Sequence, residues 1–154
     1  MKLDEQLSST AHAVLLGFME ACAFADGELI MEQGEPGNGL YLLESGTVRV
    51  EVDVSELDTD VVVGFLEDGA LLGELSLFDG APRSASAYAH TPVVASWLSK
   101  EAFETLCDAH PKVALQLYAT INMSMGSKIR QLNKRLVGHL FTEVQEPSVD
   151  TTVA

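Results

Sequence analysis

Apolar and polar positions along the chain change period twice. Val14, Leu15, Phe18, Met19 and Cys22 follow the Ser8-Ser9-Thr10 capping region at helical spacing, which predicts an amphipathic helix over residues 7–23. After the Asp26-Gly27 turn the pattern shortens. Runs at 29–31, 40–44, 48–54, 61–66, 84–89 and 93–98 alternate with Gly, Pro and Asn breakers and read as strands. Ser99 then caps a helix beginning at Lys100, with Glu101 in its first turn, and Pro111 permits a new start. Leu117, Ile121, Met125, Ile129, Leu132, Leu136 and Leu140 recur every three or four residues, predicting one long amphipathic helix, loosened at Gly126 and ending near Gly138. The fold class is mainly β with flanking helices: a β-roll or jelly roll with an N-terminal helix and a long C-terminal one.

Composition narrows the picture. The chain has 154 residues, 47% of them hydrophobic, which suits one domain with a real core. A formal net charge of −14 is opposite to the footprint of a nucleic-acid binder. Cys22 and Cys107, both placed by the pattern on helices, are too few for a disulfide framework. No apolar run is long enough for a membrane span and the N-terminus lacks a signal-like segment, so a soluble, cytoplasmic protein is expected. Residues 1–140 are expected to form the domain and 141–154 a disordered tail, since Pro, Ser, Thr and acids follow Glu143 without periodicity.

The candidate chemistry lies in Gly73-Glu74-Leu75-Ser76-Leu77-Phe78-Asp79-Gly80-Ala81-Pro82-Arg83-Ser84-Ala85. Gly73 permits close backbone approach, Leu75 to Phe78 suit one helical turn, and Arg83 returns nine residues after Glu74. Free N–H groups at a helix start attract an anion, and a guanidinium supplies full charge with forked donors for two phosphate oxygens. A carboxylate facing that phosphate would repel it, so Glu74 is better placed accepting hydrogen bonds from neutral hydroxyls such as a ribose 2′-OH. Catalysis is not expected. His12, His90, His110 and His139 are scattered, the cysteines have no Cys-x-x-Cys spacing, and no base stands beside Ser84 or Ser86. No metal or cofactor is implied. The Gly34-Glu35-Pro36-Gly37-Asn38-Gly39 stretch does not fit a nucleotide-binding glycine motif and reads as a turn; the acidic segment 54–60 reads as a hairpin tip.

The 73–87 stretch, together with Gly27-Glu28-Leu29-Ile30, Gln33-Gly34-Glu35-Pro36-Gly37, Leu40-Tyr41-Leu42-Leu43 and Gly46-Thr47-Val48-Arg49-Val50 in that order, closely resembles the cyclic nucleotide-binding domain family. That β-roll module occurs in the bacterial catabolite activator protein and in regulatory subunits of cyclic-AMP-dependent protein kinase. The resemblance runs from about residue 27 to residue 136. It implies that Glu74 binds the ribose 2′-hydroxyl and Arg83 the cyclic phosphate. Backbone N–H groups around Leu75 and Ser76, with Ser84 and Ala85, would complete the phosphate shell, and Val50 and Val63 would lie against the base.

The Ser84 hydroxyl can bond either a guanine amino group or the phosphate, so cAMP and cGMP stay unseparated. Family members use the helix after the roll as a purine lid and as a dimer seam, which makes a homodimer an expectation here. The resemblance implies a stand-alone sensor whose output passes through an unidentified protein partner, an oligomer or a further part of the chain. The alternative is a β-roll interaction module that binds no nucleotide, or a domain excised from a larger regulated protein.

Overall fold

The computed structural model describes Leu3, residues 6–55 and residues 59–144, with side chains as far as Phe141. The hairpin-tip residues Glu56, Leu57 and Asp58, and residues 145–154 of the expected tail, lie outside the described residues. Helix α1 (Ser9–Leu16) precedes five strands, β1 (Glu20–Phe24), β2 (Leu29–Met31), β3 (Gly39–Ser45), β4 (Val48–Val54) and β5 (Thr59–Leu66). A two-residue β6 (Leu71–Leu72) leads into helix α2 (Glu74–Asp79), and β7 (Ser86–Ala89) and β8 (Val93–Ser99) into α3 (Lys100–Ala109) and α4 (Pro111–Val144). The strands form two antiparallel four-stranded sheets, ordered β1-β8-β3-β6 and β2-β7-β4-β5. The β-roll expected from the strand spacing is therefore the fold.

The core joins both sheets. Val48 lies opposite Ala89 and Val50 opposite Ala87, while Leu43 lies opposite Ala95, and these positions meet Ile30, Met31, Leu72 and Val93 in one apolar cluster. Side chains alternate across a strand, so Leu40, Leu42 and Leu98 belong to the other face of their sheet. They are buried as well, as are Leu15 of α1, Phe103 and Leu106 of α3 and Leu117 of α4. Helix α3 starts directly after the last residue of β8 and packs against that strand. Its cap is the one expected: the Ser99 hydroxyl accepts from the Ala102 N–H at 3.1 Å.

Several elements differ from the sequence expectation. The N-terminal helix stops at Leu16, where the Gly17 N–H closes onto the Ala13 and Val14 carbonyls, and residues 20–24 form β1, paired along β8. Cys22 consequently sits on a strand, its Sγ donating to the Ala95 carbonyl at 3.3 Å. Strand β6 was not expected. The last strand before β8 begins at Ser86, leaving Ser84 and Ala85 outside the ladder. Helix α4 runs through Gly126 and Gly138 to Val144, so residues 141–144 are helical. The chain divides into two compact units, residues 1–121 and 122–154, with α4 contributing to both.

Candidate functional site

Helix α2 is the six-residue turn that the Gly73-to-Phe78 stretch predicts. It starts from Gly73 in the left-handed region (φ 82°) with no side-chain hydrogen bond capping it. The first-turn N–H groups of such a helix have no partner within it and carry its positive dipole end. Glu74, the first residue, and Ser76 are buried, whereas Leu75 is exposed.

Arg83 comes back to this point through its side chain. Its Nη1 donates to the Gly73 carbonyl at 2.7 Å, and a Cβ on Gly73 would overlap Nη1 and stand 3.2 Å from Cζ. The glycine that sequence alone assigns to ligand approach thus makes room for the guanidinium itself. Glu74 is 4% exposed and Arg83 5%, and they are the only charged side chains buried among the described residues. Taking an ionised group out of water is costly unless it is compensated, and the two buried groups here carry opposite charges. Burial pulls the Arg83 pKa down, while Tyr41, Glu35 and Glu74, in that order, favour the charged form. The group has one side-chain hydrogen bond among the described residues, out of five available donors.

Of the remaining candidate residues, Ala85 is buried and Ser84 exposed, both between the cassette helix and β7. Val50 is half-buried against the core cluster and faces Gly64 across β4 and β5. Val63 lies where the β4–β5 register shifts between the Val50–Gly64 and Glu51–Val62 pairs, and it is exposed. The structure therefore gathers the buried Glu74, Ser76 and Arg83 around the half-buried Gly73 and puts Val50 on the roll wall.

Sequence reasoning missed three contributors. The turn at 33–35, read from sequence without any link to Arg83, brackets the Arg83 peptide: Gly34 N–H donates to the Arg83 carbonyl at 2.9 Å and Arg83 N–H to the Glu35 carbonyl at 2.8 Å. Tyr41, on β3, packs between Phe24 and Trp97 with centroids at 5.9 and 4.4 Å, and interacts electrostatically with Arg83. Phe78 at the far end of α2 meets Phe103 of α3 at 5.5 Å and Tyr118 of α4 at 4.9 Å, and those two rings meet at 5.3 Å. No spacing rule connects these positions, because each contact joins elements far apart in sequence. Cys22 and Cys107 have thiol pKa values raised by burial, the opposite of an activated nucleophile.

Known proteins share this arrangement. The profile of the cyclic nucleotide-binding domain matches residues 21–110, from β1 to the end of α3. A CRP-like cAMP-activated global transcriptional regulator of Mycobacterium tuberculosis is 27% identical over 135 residues, 88% of this chain and 58% of the relative. A cAMP-dependent protein kinase type II regulatory subunit of Drosophila melanogaster is 40% identical over 85 residues, 54% of this chain and 22% of that subunit. The chain thus spans well under two thirds of either relative. Among solved structures, a cyclic nucleotide-binding domain from Methylobacillus flagellatus superposes with a TM-score of 0.81 at 26% identity, covering 86% of this chain and 74% of its own. The catabolite activator protein of Thermus thermophilus superposes with a TM-score of 0.71 at 29% identity, covering 85% and 61%. With the cassette, the two-sheet roll and the profile match all falling on the same residues, the chain belongs to the cyclic nucleotide-binding domain family.

Proposed function

We propose that this chain is a non-catalytic receptor for a cyclic purine mononucleotide, cAMP or cGMP, held in the 73–85 cassette and reported through the C-terminal helix. The observation that carries the reading is the paired burial of Glu74 and Arg83 at the start of α2. Arg83 takes the cyclic phosphate, aided by the backbone N–H groups of Leu75 and Ser76 and by Ser84 and Ala85. Glu74 accepts from the ribose 2′-OH, and Val50, with Val63 further out, flanks the base. Calorimetric titration with both nucleotides tests this: saturable binding is expected, and a protein that takes up neither overturns the reading.

The ribose role has its own test. Glu74→Gln is expected to weaken the ribonucleotide about tenfold or more, the usual worth of a hydrogen bond to a charged acceptor, while affinity for the 2′-deoxy analogue barely changes. Equal losses for the two ligands would take ribose recognition away from Glu74.

Signal output follows from packing. A shift of α2 on binding moves Phe78, which is in contact with both Phe103 and Tyr118, so the ligand biases how α3 and the start of α4 sit against the cassette. Further along α4, Met125, Ile129, Leu132 and Leu136 follow the four-three-four spacing of a coiled-coil seam, and Ile129, Leu132 and Leu136 are exposed. The Mycobacterium tuberculosis relative is a transcriptional regulator and the Drosophila one a kinase regulatory subunit, which supports a regulatory output. A second copy is the partner that suits this seam. Leu132→Asp is expected to shift sedimentation toward monomer. Two buried leucines per dimer at about 1.5 kcal/mol each amount to more than about a hundredfold in the dissociation constant. Unchanged sedimentation at all concentrations would return the stripe to surface.

A further inference from the structure

The turn that brackets Arg83 also reaches β4 of the same sheet, through Gln33. The Gln33 Oε1 accepts from the Asp53 N–H at 2.8 Å and its Nε2 donates to the Asp53 carbonyl at 3.5 Å. One carboxamide thereby engages both peptide groups of a β4 residue, as a neighbouring strand would. The Gln33 N–H in turn donates to Ser86 Oγ at 2.9 Å, at the first residue of β7. Pairing of β4 with β7 ends at Glu51 opposite Ser86, and the register carried on by two residues would set Asp53 opposite residue 84. The chain has already left the sheet there, and the Gln33 amide stands in that ladder position. Asp53 is exposed, so water competes for its backbone groups; even so, with this amide removed the freed N–H and C=O are open to ladder bonds from residues 83–85 along β4. Zipping would draw Arg83 away from Gly73.

We infer that Gln33 is a positioning residue of the nucleotide site: its amide occupies the β4 position that residue 84 would otherwise take, and its turn holds the Arg83 peptide beside α2. The inference rests on the nucleotide reading of the cassette and adds to it a residue that does not touch the ligand.

The test is titration of cAMP and cGMP into the wild-type chain, Gln33→Ala, Gln33→Glu, Arg83→Lys and the Gln33→Ala/Arg83→Lys double variant, with amide hydrogen exchange at Arg83 followed in parallel. Gln33→Glu keeps the side-chain volume but opposes a carboxylate to the Asp53 carbonyl. Both single Gln33 variants are expected to weaken binding about three- to tenfold, the effect of losing an ordinary hydrogen-bonded support, and to speed exchange at the Arg83 amide. In the Arg83→Lys background Gln33→Ala should cost less than about twofold more, because the residue it positions is gone. Wild-type affinity in both Gln33 variants, unchanged exchange at Arg83, or a fully additive double variant overturns the inference while leaving the nucleotide site standing. A wild-type chain that binds neither nucleotide removes both.

Discussion

Arg83→Lys is expected to cost more nucleotide affinity than any other single change in the cassette, about ten- to over a hundredfold. Lysine retains the charge, so a purely Coulombic site would tolerate it. Nη1 is committed to the Gly73 carbonyl at 2.7 Å, which anchors the fork, and in the proposed role the remaining donors serve the phosphate oxygens. An ammonium on a flexible stem cannot hold the carbonyl and chelate an anion in the same geometry. Loss of a buried charge-assisted contact is worth about 1.5–3 kcal/mol, which gives the stated range. The measurement is calorimetry with the melting temperature recorded alongside. Near-wild-type affinity in a folded Arg83→Lys protein would show that the phosphate is held by the helix N–H groups and not by the fork.

Much of this site was legible in the residues themselves, for a physical reason. A phosphate cradle is local: Gly73, Glu74 and the α2 turn are contiguous, and Arg83 lies one short loop away, so residue type and spacing suffice to read it. The strands bounded by Gly and Pro were legible likewise, β2 and β4 to the residue. Residues 18–24 were not. Phe18, Met19, Ala21, Cys22, Ala23 and Phe24 are nearly all apolar, and a continuous apolar run fits a 3.6-residue period as well as a two-residue one. Pairing with β8 decides the matter, turning Cys22 and Phe24 toward the core and exposing Ala21 and Ala23. Strand β6, with two residues, exists only because β3 offers it a ladder edge. Helix α4 continues through Gly126 and Gly138 because an isolated glycine in a helix costs only about 1 kcal/mol, less than the flanking turns supply. The hold of the 33–35 turn on Arg83 and the meeting of the Phe78, Phe103 and Tyr118 rings had no local signature, since both depend on elements up to fifty residues away.

The two glycines that bound α2 separate backbone conformation from contact with the arginine. Gly73 and Gly80 both hold positive φ, 82° and 69°, so an L side chain at either is strained by about 1–2 kcal/mol. Their surroundings differ. A Cβ at Gly80 meets nothing within 4 Å, whereas at Gly73 it overlaps Arg83 Nη1. Gly80→Ala is therefore expected to lower stability by that backbone cost alone and to keep nucleotide affinity within about twofold. Gly73→Ala pays the same cost and in addition pushes the guanidinium off the Gly73 carbonyl, which frees the fork from the orientation that phosphate needs. At least a tenfold loss of affinity is expected, about 1.4 kcal/mol, from a protein that still folds. Paired thermal melts and titrations of the two variants read both quantities. If they lose the same stability and the same affinity, the Gly73 effect is helix distortion, and the tether between its carbonyl and Arg83 contributes nothing to binding.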